Sequence, residues 1–135
     1  MKTLFNFFLL ITFLLNSISY SQQVDTLNYV KQFEINKAKY IDQPFSVLLN
    51  DMIEIKPKTV WFTPLRNKNI IKTSRFKFVP IDRSFGNVVT LSITWKEYLR
   101  ADQVKYLYQK NNFYFTNDEK EFYENKIIEN ILVYK

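Results

Sequence analysis

The hydrophobic period changes along this chain, and that change constrains the fold more than any other feature. Residues 45–53 and 101–110 place apolar side chains at helical spacing, whereas residues 87–95 alternate with a period of two. A β-branched run over residues 127–134 closes the chain. The order α-α-β-β-β-α-α-β predicts an α+β domain, with helices packed on one face of an antiparallel or mixed sheet of about four strands.

Capping residues predict where the helices begin. Asp25 is a suitable N-cap for a helix over residues 26–39, and Asp42 is a second N-cap candidate, with Pro44 in the first turn of the next helix. The apolar stripe of that second helix extends to Ile53. The segment Thr116–Glu119 matches a capping box, in which the hydroxyl and the carboxylate satisfy backbone N–H groups reciprocally.

The middle of the chain predicts three strands. A first short strand covers residues 59–62, and residues 66–73 are expected to form a polar, basic connection to a strand at residues 75–79. That strand and residues 87–95 are expected to pair as an antiparallel hairpin. Gly86 lies in the intervening turn and is the natural position there for a positive φ.

The composition excludes several chemistries. The sequence has no His, no Cys and a single Gly. Nucleophiles that depend on imidazole or thiol, His/Cys zinc sites, disulfides and glycine-rich phosphate loops are therefore all excluded. No cofactor and no metal site is expected, and packing has to supply the stability.

The first 21 residues have the three-part layout of a secretory signal. Lys2 is followed by the apolar run Leu4–Leu15 and by small residues at Ser19 and Ser21. The apolar run is shorter than the roughly 20 residues that cross a bilayer, so a retained anchor is the weaker interpretation, and a buried N-terminal element is weaker still. We expect a signal peptide at residues 1–21 and a single α+β domain at residues 22–135, exported to the periplasm or the extracellular space.

Positive charge is concentrated in the middle of the chain. Residues 56–83 hold eight basic residues against Asp82 alone. Such a segment can attract an anionic partner, or it can be a solvated strand surface on which Lys discourages edge pairing. The residues proposed to form a binding surface are Lys58, Trp61, Arg66, Lys68, Lys72, Arg75 and Lys77.

Two other functional interpretations receive less support from the residues. Basic and aromatic residues alternate at 74–79, as they would on a strand with one side in the core and the other side in solvent. Nucleic-acid binding is therefore not expected. Four carboxylates, at Asp118, Glu119, Glu121 and Glu124, could support hydrolysis only if two of them met in a cleft.

The leading hypothesis is a small exported domain without enzymatic activity that binds another macromolecule. The partner would be an anionic protein or a cell-envelope component, met through a basic surface that contains aromatic side chains. Membrane contact is expected only through the signal before cleavage. The alternative is a small hydrolase that uses carboxylate, Tyr or Lys chemistry on an envelope or extracellular polymer.

Overall fold

The computed structural model describes residues 24–135. The predicted signal peptide at residues 1–21 lies outside the described residues. Within residues 24–135, no helix is both long enough and apolar enough to cross a bilayer.

The described residues form four α-helices and a four-stranded antiparallel sheet of order β1-β2-β3-β4, which confirms the predicted α+β class and element order. In chain order the elements are α1 (Thr26–Ile35), α2 (Phe45–Asp51), β1 (Thr59–Pro64), β2 (Ile70–Lys77), β3 (Thr90–Arg100), α3 (Ala101–Asn111), α4 (Asn117–Tyr123) and β4 (Ile128–Tyr134). Short 3-10 turns occupy Lys37–Lys39 and Ile81–Arg83.

The core lies between one face of the sheet and the helices. Trp95 of β3 stacks on Tyr123 of α4 with ring centroids 5.4 Å apart, and Phe45 of α2 meets Trp95 edge-on at 5.4 Å. Phe76 of β2 completes this aromatic cluster, and all four side chains are at most 2 % exposed. The indole N–H of Trp95 donates to the Ser74 hydroxyl at 2.9 Å, which satisfies the one polar group that the ring brings into the core.

Two of the predicted caps are confirmed and one is wrong. Asp25 caps α1, and the capping box at Thr116–Glu119 begins α4. Asp42 does not cap α2: its own N–H donates to the carbonyl of Ile128 at 2.9 Å, so the chain is still paired with the start of β4 and the helix begins only at Phe45. Because α2 ends at Asp51, Ile53 lies beyond the apolar stripe and is 83 % exposed.

The strand boundaries and the turn at Gly86 also differ from expectation. The segment Ile70–Thr73, predicted as connection, belongs to β2, because Ile71 is buried and pairs with Leu99 of β3. A register shift between Ile71 and Thr73 accommodates this pairing, and the sequence pattern does not reveal it. Gly86 does not adopt a positive φ.

Both outer edges of the sheet are covered along part of their length. On β1, the N–H of Val60 donates to the carbonyl of Phe113 at 2.9 Å, and the N–H of Phe115 donates to the carbonyl of Lys58 at 2.8 Å. On β4, an ion pair formed by Lys31 and Glu34 of α1 serves the same purpose.

We call Lys31, Glu34 and the Val133 backbone the edge clamp. The Lys31 ammonium donates to the Val133 carbonyl at 2.9 Å, while the Glu34 carboxylate accepts from the Val133 backbone N–H. The bond to Lys31, followed by the bond to Val133, lowers the pKa of Glu34 against the opposing effect of burial. Two side chains thus take the place of a neighbouring strand and block edge-to-edge pairing.

Removing the edge clamp is expected to promote self-association. In Lys31→Met with Glu34→Met, the backbone groups of Val133 lose their side-chain partners and become available to another chain. Sedimentation velocity should show larger species growing with concentration relative to the unsubstituted protein. The control, matched in charge and in added methionines, is Lys105→Met with Glu121→Met, at exposed positions on α3 and α4; equal association in both variants would contradict the role of the clamp.

Alkaline pH is expected to destabilise the fold through Tyr123. Burial raises the pKa of Tyr123 to about 12, whereas an unfolded Tyr titrates near 10. The neutral phenol therefore contributes stability that is complete below about pH 10 and is lost as the pH rises through 12, by roughly 2 kcal/mol at pH 12.

Urea unfolding between pH 9 and 12 tests this expectation. In Tyr123→Phe the free energy of unfolding should decline less steeply than in the unsubstituted protein, whatever its value at pH 9. The control is Tyr106→Phe, at a side chain that is 63 % exposed, which should retain the original slope. Identical slopes for Tyr123→Phe and the unsubstituted protein would show that Tyr123 does not ionise in this way.

Candidate binding surface on the sheet

The face of the sheet opposite the core is defined by the strand register, and we call it the outer face. Because side chains alternate along a strand, the partners of each outward residue also point outward. Two neighbouring rows of the register, each crossing all four strands, make up its central part: Trp61–Arg75–Ser92–Leu132 and Thr59–Lys77–Thr90–Tyr134.

The middle of the outer face is closed rather than grooved. Arg75 is exposed, and Leu132 and Tyr134 are 47 % and 43 % exposed, yet Ser92 and Thr90 between them are only 8 % and 3 % exposed. Solvent therefore hardly reaches these short hydroxyl residues of β3. In the second row the segment after β2 contributes to this burial, because the Lys77 ammonium donates to the carbonyl of Ser84 and the Thr90 hydroxyl donates to the carbonyl of Val88. The result is a continuous surface without a cleft along that strand.

Trp61 is held in place by neighbouring rings. It stacks on Phe113 with centroids 4.2 Å apart and 19° between the planes, and Phe85 meets it edge-on at 5.2 Å. The ammonium of Lys77 lies 5.5 Å from its ring centroid, within cation–π range. The indole N–H is buried and has no acceptor among residues 24–135, so these ring contacts position the side chain.

The stack continues around the edge of β1 to the core side of the sheet. Phe113 stacks on Tyr108 at 4.6 Å, and Tyr108 stacks on Phe62 at 5.4 Å. Phe113 and the preceding Asn112 both have left-handed backbone conformations, with φ of 64° and 51°. A bulky residue seldom adopts this conformation, so the stacking and the hydrogen bond from Val60 have to compensate the strain.

Phe85 projects from the loop before β3 and is 75 % exposed. Its position is defined because the preceding Ser84 is buried, donates its hydroxyl to the carbonyl of Ile81 at 2.8 Å, and accepts a hydrogen bond from Lys77 through its own carbonyl. Burial, followed by the positive charge of Arg75, lowers the pKa of Lys77. Two cations and an exposed ring thus lie at one corner of the outer face.

The structure brings together three of the seven residues predicted to bind a partner: Trp61, Arg75 and Lys77. Trp61 and Arg75 are directly paired across β1 and β2, and Lys77 lies two positions further along β2 on the same face. Among the described residues, neither Arg75 nor Lys77 has a carboxylate within ion-pair distance.

The other four predicted residues have different surroundings. Lys72 is paired with Glu129 at 3.1 Å. Arg66 and Lys68 are exposed in the β1–β2 hairpin, more than about 10 Å from Trp61 along the strand direction. Lys58 is exposed just before β1, where its backbone N–H donates to the carbonyl of Lys77 at 2.8 Å. Arg66 and Lys68 therefore lie away from the first three, and Lys72 already has a carboxylate partner.

Sequence reasoning missed four residues around this site, namely Phe85, Phe113, Leu132 and Tyr134. The last two alternate with the buried Ile131 and Val133, so a period of two was visible within the apolar run at the end of the chain. Nothing in the sequence pairs Phe113 with Trp61, because their contact depends on the backbone conformation at residues 112–113.

Two of the four carboxylates that could support hydrolysis, Asp118 and Glu119, are engaged in structural contacts. Asp118 pairs with Lys110 at 2.8 Å, and this bond together with one from Asn111 lowers the pKa of Asp118. Glu119 is buried, with its oxygens accepting from Asn111 at 2.8 Å and from the Thr116 backbone at 2.8 Å. In the described part of the chain, no group of three or more acidic side chains could hold a metal ion.

Three surface cavities are lined by other parts of the fold. The largest of the three, about 540 Å³, lies between the start of α1 and residues 78–89, and its one acidic side chain, Asp25, caps α1. A cavity of about 270 Å³ contains Lys56 and Lys120, and one of about 360 Å³ contains Asp102. None of these three brings two side-chain carboxylates together, the arrangement that glycoside hydrolysis uses.

No protein-family model matches the chain, and neither a characterised protein nor a solved structure shows significant similarity to it. Its function therefore has to be inferred from the chemistry and placement of its own side chains.

Phe113→Ala is expected to expose Trp61 and weaken the fold. Two ring stacks are lost, each contributing about 0.5–1.5 kcal/mol beyond the burial of area. Acrylamide should then quench more of the tryptophan fluorescence, since Trp95 remains buried and only Trp61 gains access. In the control, Tyr114→Ala, whose side chain is 38 % exposed, quenching should hardly change; an unchanged value in Phe113→Ala as well would contradict the stacking role.

Proposed function

We propose that this protein is a small exported domain without enzymatic activity, which binds a negatively charged macromolecule through its outer face. One observation carries the proposal: Arg75 and Lys77 lie beside Trp61 and Phe85 without a paired carboxylate among residues 24–135. Like charges held this close repel each other, and an anionic partner would relieve that repulsion.

The shape of the outer face supports a large partner over a small ligand. Small-molecule sites are concave and enclose most of the ligand, whereas the surface over β3 is closed. Complementary charge would accelerate encounter, and the aromatic side chains would supply contact area once the partner is bound. Arginine and tryptophan are the residue types that most often dominate the energy of such interfaces.

Export is part of the proposal and rests on the first 21 residues. Their basic start, apolar run and small residues at the cleavage point have the layout of a secretory signal. We propose that the domain works in the periplasm or outside the cell, where its partner would be an anionic protein or an envelope component.

Salt-sensitive binding with a charge-reversal control tests this function. Protein produced from the full-length chain would be titrated onto poly-L-glutamate, alginate and polyphosphate surfaces over a range of NaCl concentrations. We expect at least one surface to bind, with affinity falling as salt rises and about tenfold weaker binding by Arg75→Glu. The control is Arg66→Glu, which makes the same charge change in the β1–β2 hairpin and should cost little.

Two outcomes would contradict the proposal. Equal losses of affinity in Arg75→Glu and Arg66→Glu would mean that binding depends on the net charge of the protein and not on the outer face. The absence of salt-sensitive binding to all three surfaces would remove the electrostatic basis for the function.

A further inference from the structure

The two central rows of the outer face share one arrangement. In the first row Arg75 of β2 and Leu132 of β4 lie on either side of Ser92, and in the second Lys77 and Tyr134 lie on either side of a buried Thr90. Each row therefore carries a cation on β2, a short buried hydroxyl on β3 and an exposed apolar side chain on β4. We call Arg75 and Lys77 the basic half of these two rows, and Leu132 and Tyr134 their apolar half.

The spacing between the two halves follows from sheet geometry. Neighbouring strands lie about 4.8 Å apart, so β2 and β4, with β3 between them, are separated by about 10 Å. A partner that engages both halves has to present an anionic group and an apolar group at about that separation. Because Ser92 and Thr90 are buried, no groove separates the two contacts.

This arrangement discriminates between classes of anionic partner. A polysaccharide or a polyphosphate with charge repeated along its length would meet the cations of β2 but would leave Leu132 and Tyr134 in water. A protein surface can offer a carboxylate and an apolar side chain together. The planar guanidinium of Arg75 also suits a carboxylate, which it can bind through two parallel hydrogen bonds.

We infer that the partner is an acidic protein whose contact surface places a carboxylate about 10 Å from an apolar side chain, with the carboxylate on Arg75 and the apolar group on Leu132. This inference rests on the proposed function and names the class of macromolecule that the outer face fits. Phe85 and Tyr134 flank the two contacts and extend the apolar area.

Helical peptides provide a probe with the required spacing. On a helix, positions i and i+7 lie on one face and about 10.5 Å apart. Two peptides of about 20 residues would be compared, one with Glu at i and Leu at i+7, and one in which Ser replaces that Leu at unchanged charge. Alginate and polyphosphate of matched charge would serve as the polymer arms of the experiment.

The expected result is a selective loss in one variant. The unsubstituted protein should bind the Glu/Leu peptide about tenfold more tightly than the Glu/Ser peptide. Leu132→Asn should abolish that preference without weakening the Glu/Ser peptide, whereas Arg75→Gln should weaken both. Leu65→Asn, at a side chain 36 % exposed in the β1–β2 hairpin, is the matched control and should retain the preference.

Thermal unfolding would confirm that each variant is folded. If Leu132→Asn does not fold, Tyr134→Asn would be used in its place. Two results would overturn the inference while the proposed function stands: a preference that survives in the variant on β4, or tighter binding of alginate or polyphosphate than of the Glu/Leu peptide. Absence of salt-sensitive binding to every probe would instead overturn the inference and the proposed function together.

Discussion

The packing of Trp95 determines the rest of the structure. Its ring stacks on Tyr123, meets Phe76 edge-on and donates to Ser74, so β2 and β3 have to turn these side chains toward the helices. Because a strand alternates its side chains, burying Ser74 and Phe76 forces Arg75 and Lys77 onto the opposite face. The cationic surface is therefore a geometric consequence of the aromatic core.

Both edges of the sheet are partly covered, so the outer face is the more accessible part of the sheet. Residues 113–115 pair with β1, and the edge clamp occupies the backbone groups of Val133 on β4. Strand addition at these places would require a competing chain to displace existing hydrogen bonds. Contact with the exposed Arg75, Phe85 and Leu132 on the outer face displaces none of these edge hydrogen bonds.

The corner of the outer face around Trp61 is held by ring contacts, but its two cations repel each other. Trp61 is held between rings, and Phe113 adopts a left-handed backbone conformation to reach it. Lys77 is partly buried beside Arg75, and both effects disfavour its charged form, which lowers its pKa. A chain without disulfides maintains this arrangement through packing alone, and an anion at the site would offset part of its cost.

The sequence by itself determined the order of elements, the caps at Asp25 and Thr116, and the pairing of β2 with β3, because these depend on local hydrogen bonds and on the period of apolar residues. It also proposed Trp61, Arg75 and Lys77 as part of a binding surface, and these three lie together on the outer face, whereas Arg66 and Lys68 lie in the β1–β2 hairpin. Tertiary structure decided the late start of α2 after Asp42, the inclusion of Ile70–Thr73 in β2, the contact of Phe113 with Trp61, and the outward position of Leu132. Each of these depends on register or on contacts between residues distant in sequence, and a local pattern contains no information about which distant residue will be the neighbour.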